Sequence, residues 1–561
     1  MPPTPLGPPK RPLKVLFFMA NLSGFFRNFE PVIRMLLDRG HHVHLALERV
    51  ERGPGEKWAR DLGLEYPGLT YSLTPGLRYD IWYPLMRDVR LMLDYIEALD
   101  PRFHAAPALV ARARSRAERE VAGFVRAVDR AMAQRPEVLR AVAQALEHVE
   151  RAIPASEDLN RYIRMHAPDV ILLTPHLNPG STHTWSLRSA QATGVPSMVC
   201  IASWDNLSSK QLLRGESDVV TVWNDVQREE AMELHGVPPE RIVVTGAQLY
   251  DQWFDWQPRP REEFCERVGL PPDKPYVLYL GGALFPAEIT EADWAMQWIR
   301  KLSRTQRSGL TDISILVRSH PKRVDEWDIK LLKRRGVAFW PRADTMPVAE
   351  EAKADLFDSL FHSAAVVGLN TSAMIEAGIV GKRVHTVLVP EFAGSQNGVF
   401  HFRYLTDVGG GLLRVAGGLS EHVRQLAQTM REQSASANGA NPNAAFLEKF
   451  VRPHGLDQPA TPIFVDTVER LADRPARPAP RPTPLQRAAR PVLEAIDHQL
   501  ALTALRRRSR RRGEAKPPPR AVLPPLGELL RDPGAFAAGQ RRRILDLQSN
   551  RERRLRAVPE D

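Results

Sequence analysis

The first candidates for chemistry are two adjacent glycines, Gly281 and Gly282, which directly follow the apolar run 276–280. Glycine lets backbone N–H groups come close to an anion such as a phosphate, because it carries no Cβ. A strand followed by two glycines is also the pattern of an ordinary tight turn. From this motif alone, a phosphate-binding loop and a simple turn are both open.

A basic motif, residues 318–322, follows the next apolar run, 313–317. Pro321 restricts the backbone and holds His320 at the carboxyl end of a strand, where doubly wound sheets bind ligands. We therefore predict that Arg318, His320 and Lys322 face a diphosphate. His320 is the catalytic candidate, since an imidazole can stabilise leaving-group charge. The alternative is a solvated basic turn with a capping histidine.

Polar side chains also open a predicted helix over residues 371–380. Asn370, Thr371 and Ser372 supply more hydroxyl and amide groups than one N-cap requires, and a helix N-terminus attracts phosphate. Glu376 lies about one turn into this helix. It either reaches ribose hydroxyls or is a first-turn acid that the helix dipole favours. Together these motifs predict a donor-binding site in the second half of the chain.

Three loops in the first half follow strand patterns, so they share one edge of a predicted parallel sheet. His176 or Asp205 could accept the proton of an acceptor hydroxyl, although Asp-Asn is also ordinary turn chemistry. The same loops supply the remaining acceptor-side candidates, which are Ser23, Gly24, Arg27, Trp204 and Asn206. The sequence has no cysteine-rich or paired-histidine pattern for zinc, so we predict neither a metal nor a cofactor.

The elements that must position these groups alternate between strand and helix. A strand–loop–helix–strand pattern over 14–47 predicts a βαβ unit and a parallel sheet, with a loop at 21–27. The alternation recurs from 169 and from 276. We therefore predict an α/β fold with two Rossmann-like parallel-sheet domains facing a cleft, a helical insertion and a basic C-terminal tail. The predicted segments are an acceptor domain at 11–256 with the insertion at about 79–148, a connection at 257–274 that permits domain closure, a donor-nucleotide domain at 275–472, and a tail at 473–561.

The charge of the 561-residue chain is concentrated in that tail. Residues 474–561 hold 21 of the 77 Lys and Arg but only 9 of the 66 Asp and Glu, so the remainder is close to neutral despite the net charge of +11. The body therefore shows no global field that would favour nucleic acid. The amphipathic stretch 485–505 precedes a run of arginines at 506–512, a pattern that can hold a protein at anionic lipid and would suit a lipid-linked acceptor. A solvated tail is the equal alternative.

The expected location is the cytoplasm, with peripheral contact at the inner face of the cell membrane as an extension of the tail hypothesis. Only two cysteines occur, Cys200 and Cys265, and they fall in different predicted segments, which disfavours a disulfide framework. No apolar run is long enough to span a bilayer. The Pro-rich start of the chain also lacks the apolar core of a signal peptide.

At its motifs the sequence resembles GT-B transferases, in particular the group of CDP-glycerol glycerophosphotransferases, bacterial polysialyltransferase-like enzymes and surface-carbohydrate biosynthesis proteins. That group carries a His-Pro motif and a Ser/Thr-rich motif, matched here by His320-Pro321 and by residues 370–372. The resemblance implies group transfer from a nucleotide-activated sugar or alditol to a hydroxyl acceptor, with both motifs contacting the donor nucleotide. Residues 368–370 replace the acidic-aromatic pair usual in teichoic-acid enzymes, which disfavours a glycerol-phosphate donor.

Two alternatives accompany this interpretation. Non-hydrolysing nucleotide-sugar epimerases share the two-domain architecture, but they need more acids and a Gly-Gly before the late helix, where this chain has residues 370–372. A catalytically silent scaffold that docks at a membrane or partner would also retain the fold. Function is carried by sites rather than by folds, so the choice depends on the geometry of the cleft.

Overall fold

The computed structural model describes residues 11–20, 22–48, 54–77, 80–104, 107–131, 135–174, 183–210, 212–284, 287–305, 310, 312–341, 349–435, 441–475, 478 and 481–511. Two parallel β-sheets organise them. The first sheet contains β1 (Lys14–Met19), β2 (His42–Leu47), β3 (Leu69–Leu73), β4 (Val170–Leu173), β5 (Ser197–Cys200), β6 (Val219–Val222) and β7 (Ile242–Val244). The second contains β8 (Tyr276–Leu280), β9 (Ser314–Arg318), β10 (Ala338–Phe339), β11 (Ala365–Gly368), β12 (Val384–Val387) and β13 (Leu413–Ala416).

Helices cover these sheets and connect their strands. The first domain and its insertion contain α1 (Leu22–Asp38), α2 (Pro54–Glu65), α3 (Tyr83–Ala98), α4 (Pro107–Ala131), α5 (Pro136–Ala152), α6 (Glu157–His166), α7 (His183–Thr193), α8 (Asn206–Ser209), α9 (Asp225–Glu233) and α10 (Asp251–Asp255). The rest of the chain adds α11 (Arg261–Val268), α12 (Glu291–Ser303), α13 (Ile329–Arg334), α14 (Glu350–Phe361), α15 (Ala373–Ile379), α16 (Phe400–Asp407), α17 (Leu419–Ala435), α18 (Ala444–Phe450), α19 (Ala460–Ala472) and α20 (Pro484–Arg511).

The strand orders confirm the predicted α/β fold with two Rossmann-like domains. They are β3-β2-β1-β4-β5-β6-β7 and β10-β9-β8-β11-β12-β13, with parallel pairing throughout. The continuous apolar run of β1 has a simple cause, because Val15 and Phe17 enter the core on one face while Leu16 and Phe18 enter the core on the other. In each sheet the order in which successive strands are added reverses once, between β1 and β4 in the first sheet and between β8 and β11 in the second. Such positions are topological switch points, and ligands of open parallel sheets bind beside them.

The predicted loop at 21–27 is wrong, because α1 begins at Leu22. Ser23, Gly24 and Arg27 therefore lie in the first turns of a helix rather than in an open loop. Leu22 is buried in the core of the first sheet, and such packing overrides the turn preference of a Ser-Gly pair. Helices α3, α4 and α5 occupy the region of the predicted insertion.

The predicted connection at 257–274 is not an open linker. It contains α11, whose Phe264 is fully buried in a core that spans both domains. Arg259 precedes α11 and makes ion pairs with Asp355 and Asp358 on α14. The segment is therefore fixed to the second domain, and the predicted hinge for domain closure does not lie freely between the two sheets.

The end of the predicted donor domain packs on the other sheet. Phe464 and Val468 of α19 are buried in the core beneath β1 and β2. Arg39 reinforces this docking through ion pairs with Asp466 and Glu469. Chain order placed α19 with the donor domain, whereas its packing belongs to the first domain.

The start of the predicted tail is also part of the packed structure. Helix α20 contacts α3 and α5, Leu493 is buried in the core of the first domain, and Asp497 accepts a hydrogen bond of 2.7 Å from the backbone of Leu85. The expectation of a loosely attached tail is wrong for this segment, since its apolar residues pack against protein. Residues 512–561 lie outside the described residues. No helix in the described part of the chain is long and apolar enough to cross a membrane.

Candidate functional site

The loops after β8, β9 and β11 meet at the carboxyl edge of the second sheet. A Cβ added to Gly281 would lie 2.9 Å from the backbone nitrogen of His320, and one added to Gly282 would lie 2.5 Å from the carbonyl oxygen of Asn370. The Gly281 N–H donates to the Arg318 carbonyl over 2.7 Å. The two glycines are therefore required for close backbone packing at the switch point, and the structure brings together residues that lie about ninety positions apart in sequence.

The buried carboxyl group of Glu291 holds this glycine loop in place. Glu291 accepts hydrogen bonds from the Gly282 N–H over 2.8 Å and from the Tyr279 hydroxyl over 3.0 Å. Burial raises the pKa of Glu291 to about 8, even though both hydrogen bonds lower it. The Gly282 N–H is thus occupied by protein, which the pattern of a strand followed by two glycines could not show.

His320 caps the turn that follows β9. Its Nδ1 accepts a hydrogen bond of 3.2 Å from the backbone N–H of Lys322, so Nδ1 carries no proton in this arrangement. Lys322 is exposed at the same turn. The turn therefore carries an imidazole and an exposed ammonium group near the glycine loop.

Contrary to the prediction, Arg318 does not face the cleft. It is 8% exposed, and its guanidinium donates to the Asp355 carbonyl over 3.1 Å and to the Ser359 hydroxyl over 3.0 Å, both on α14. Burial lowers its pKa to about 10, which still leaves it charged at neutral pH. Arg318 ties β9 to α14 and positions the His320 turn instead of contacting phosphate.

The polar stretch before α15 is only partly available to a ligand. Helix α15 begins at Ala373, two residues later than predicted, and Ser372 makes no side-chain cap. Thr371 and Ser372 are partly exposed beside Asn370. Glu376 is 1% exposed and interacts electrostatically with Arg318, so it points to the interior and not to a ribose.

The loop after β5 presents Asp205 to the second domain, but in a form unsuited to a general base. Its carboxylate accepts from Ser203 Oγ over 2.8 Å and pairs with Lys210 Nζ at 2.7 Å. Burial alone would raise the pKa of Asp205, but the charge of Lys210, the electrostatic interaction with His401 and these hydrogen bonds hold it far below its usual range. The carboxylate is a fixed charge with little affinity for a proton.

Other acceptor-side predictions also resolve into structural roles. Asn206 Oδ1 accepts hydrogen bonds of 3.1 Å from the backbone N–H groups of Ala202 and Ser203, so this side chain shapes the loop. Trp204 is 5% exposed and packs against the domain interface. His176 lies outside the described residues.

A histidine that the sequence did not single out lies where the domains meet. His401 on α16 contacts the edge of Trp204, with ring centroids 4.8 Å apart at an interplanar angle of 82°. Its Nε2 lies 3.5 Å from Asn370 Nδ2. Burial lowers the pKa of His401 to about 4, against the opposing effect of Asp205. The ring is therefore a neutral imidazole between the two domains.

Two buried polar atoms around His401 lack partners among the described residues. They are His401 Nδ1 and Asn370 Oδ1. Asn370 Nδ2 donates to the Ser395 carbonyl over 2.5 Å, which joins the loop after β11 to the loop after β12. Unsatisfied buried polar atoms are costly and usually mark a place for water or a ligand. We define Trp204, Asp205, Lys210, Asn370, Ser395 and His401 as the junction cluster.

The sequence contains a signal for His401 beyond the strands considered above, because polar residues also follow the carboxyl end of β12. The rule that ligand groups follow the carboxyl ends of parallel strands holds for β12 as well. The glycine-containing stretch 393–398 and then His401 follow that strand. Among the described residues, no group of three His, Cys, Asp or Glu side chains is arranged to hold a metal ion.

No family model and no curated protein match the sequence. Solved structures of GT-B glycosyltransferases and epimerases are similar over most of the chain. A glycosyltransferase from Rickettsia africae matches 82% of this chain and 99% of its own, with 10% identity and a TM-score of 0.45. The UDP-GlcNAc 2-epimerase from Methanocaldococcus jannaschii matches 81% of this chain and 99% of its own, with 12% identity and a TM-score of 0.43. The wall teichoic acid polymerase TagF matches 82% of this chain and 89% of its own, with 10% identity and a TM-score of 0.38. With TM-scores this low, the functional argument depends on the cleft itself.

Proposed function

We propose that the protein transfers a group from a nucleotide-activated sugar or alditol to a hydroxyl acceptor in the cleft between its domains. One observation carries this proposal: the glycine loop, His320 and Asn370 meet at the switch point of the second sheet, and Asn370 also contacts His401 of the junction cluster. Ligands of open parallel sheets bind beside such switch points. A cleft shared by two such domains suits a reaction between two substrates.

The donor diphosphate is assigned to the edge between β8, β9 and β11. The His320 imidazole, the exposed ammonium of Lys322 and the hydroxyls of Thr371 and Ser372 lie at that edge. Such donors stabilise negative charge that develops on a leaving group. Arg318 contributes indirectly, since it fixes the strand end that carries His320.

The proton of the acceptor hydroxyl is assigned to His401. Its ring is neutral, so it can accept a proton, and the fixed carboxylate of Asp205 favours the imidazolium that results. Asp205 then acts as a positioning and electrostatic group rather than as the base. The sequence left His176 and Asp205 open as the base; His401 replaces Asp205 in that role, and His176 lies outside the described residues.

A nucleotide panel tests the proposal by thermal unfolding with CDP, UDP, GDP and CMP. At 100 times its Kd, a ligand that binds only the folded state stabilises it by about 2.7 kcal/mol, which corresponds to a rise of roughly 2 °C in Tm for a chain of this length. We expect at least one diphosphate to produce such a rise and His320→Ala to reduce it. The matched control is His104→Ala, which changes an exposed histidine of the insertion.

The outcomes of the panel separate the alternatives. Wild-type protein that no nucleotide stabilises would contradict a donor site. An equal effect of His320→Ala and His104→Ala would remove His320 from the site. Conversion of a bound nucleotide sugar to its epimer without any acceptor would favour the epimerase alternative.

A further inference from the structure

The helical insertion places a row of arginines at the cleft. Arg112, Arg116 and Arg119 follow one another at intervals of four and three residues, so they share one face of α4. This face and the second-domain residues Gly394 and Gly398 line a cavity of about 640 Å³. The insertion thus adds a basic wall to a space between the domains.

Among the described residues, the guanidinium groups in this row have few partners. Arg112 is half-buried, yet it makes no hydrogen bond or ion pair with the described residues. Arg116 also has neither, and Arg119 donates only to the Ser115 carbonyl over 3.4 Å. By contrast, Arg114 on another face of α4 pairs with Glu118 and Asp129. Lining residues that retain their donors indicate a site for an anion.

The charges nearest to Arg112 connect the row to the junction cluster. Burial lowers the pKa of Arg112, the carboxylate of Asp205 raises it, and Arg116 lowers it again. Asp205 is already paired with Lys210 at 2.7 Å. The carboxylate that pairs with Lys210 therefore also acts electrostatically on Arg112.

The side of the cavity opposite α4 contains Gly394 and Gly398, which leave room for a ligand because they carry no side chains. A Cβ added to Gly394 would meet no atom within 4 Å. The glycine stretch is held in place by Gln396, which accepts from the Val389 N–H over 2.9 Å and donates to the Val387 carbonyl over 2.8 Å. A fixed backbone wall opposite a row of arginines suits a ligand with charged groups along its length.

We propose that this cavity binds an acceptor substrate that carries more than one phosphate group, held by the arginine row on α4. The inference rests on the proposed function, because it assigns the substrate class of the same cleft. From Arg112 to Arg119 the row spans about 10 Å along the helix, more than a single phosphate covers. Arginine forks bind phosphate oxygens in pairs, which gives both affinity and orientation.

Titration calorimetry with inorganic pyrophosphate tests the site. All proteins carry His320→Ala, so that the donor edge contributes as little as possible. The test variant is Arg116→Gln with Arg119→Gln, and the matched control is Arg126→Gln with Arg130→Gln, which removes two exposed arginines from the same helix. We expect at least a tenfold loss of pyrophosphate affinity in the test variant and less than a twofold change in the control.

A second probe distinguishes a free from a membrane-bound source of phosphate. Sedimentation with phosphatidylcholine vesicles that contain a polyprenyl diphosphate should depend on Arg116 and Arg119 if the acceptor is lipid-linked. Vesicle binding unaffected by these changes, together with arginine-dependent pyrophosphate binding, indicates a soluble phosphorylated acceptor.

Equal loss of pyrophosphate affinity in the test and control variants would overturn the proposal, and so would no binding at all. In addition, Gly394→Leu should weaken pyrophosphate binding by filling the cavity, since an added Cβ there meets no atom within 4 Å, and unchanged affinity would contradict this location. Failure of the nucleotide panel with intact arginine-dependent binding would refute the proposed function alone. The reverse combination would refute only the acceptor site.

Discussion

Replacing His401 with alanine should lower kcat by about 100- to 10,000-fold, the range that general-base catalysis contributes, while nucleotide binding persists. The reason is its position at the junction of the domains, between Trp204 and Asn370, with a carboxylate nearby. Because burial lowers its pKa to about 4, the ring is already neutral at pH 6. Activity should therefore stay flat between pH 8 and pH 6 and decline only as the pH falls towards that pKa. Initial rates with the donor identified by the nucleotide panel provide the measurement.

A second buried histidine of the same domain supplies the control. His422 accepts a hydrogen bond of 3.0 Å from Trp298 Nε1 and lies in the core rather than in the cleft. His422→Gln can retain an acceptor for Trp298, so it should affect stability more than kcat. The account fails if His401→Ala retains full kcat, or if both variants lose kcat to the same extent.

The largest effect on stability is expected at Asp251, where alanine should lower the free energy of unfolding by about 3–5 kcal/mol, as for other broken buried ion pairs. Its carboxylate pairs with Arg452 at 3.0 Å and accepts from the backbone of Ala460 over 3.1 Å. It also accepts from the backbone and hydroxyl of Thr461, over 2.7 and 2.6 Å. The change would leave Arg452, which is 5% exposed, without its carboxylate partner.

Urea unfolding followed by tryptophan fluorescence measures this effect. The control is Asp466→Ala, which removes a carboxylate of α19 that pairs with the partly exposed Arg39. Because Arg39 keeps its ion pair with Glu469 at 2.9 Å, loss of the Asp466 pair should cost about 1 kcal/mol or less. A similarly small loss of unfolding free energy in Asp251→Ala would show that Asp251 does not anchor α19 to the first domain.

Much of the fold was predictable because buried parallel strands leave a strong signal. The run at β1 is apolar at every position after Lys14, since helices cover both faces of the sheet. The same signal located the strands before Gly281, His320 and Asn370. Parallel pairing then placed their loops at one edge, where the structure brings them together.

Side-chain roles at that edge were less predictable, because tertiary partners decide them. Arg318 and Asn206 have residue types that suit ligand binding, yet their polar groups are occupied by α14 and by the local backbone. Asp205 is held as a carboxylate by Lys210. Conversely, His401 gains its position only when the second domain packs against the first. The return of α19 to the first sheet likewise depends on long-range packing that no local pattern records.

The central claim, that a nucleotide-activated donor binds at the switch point of the second sheet, is tested most directly by photolabelling. The protein would be irradiated with a radioactive azido-UDP or azido-CDP analogue, digested, and its labelled peptides sequenced. We expect labels in peptides from 276–284, 318–326 or 368–376, suppressed by an excess of the unmodified nucleotide. Competable labelling confined to the first sheet, or no competable labelling with either analogue, would contradict the account.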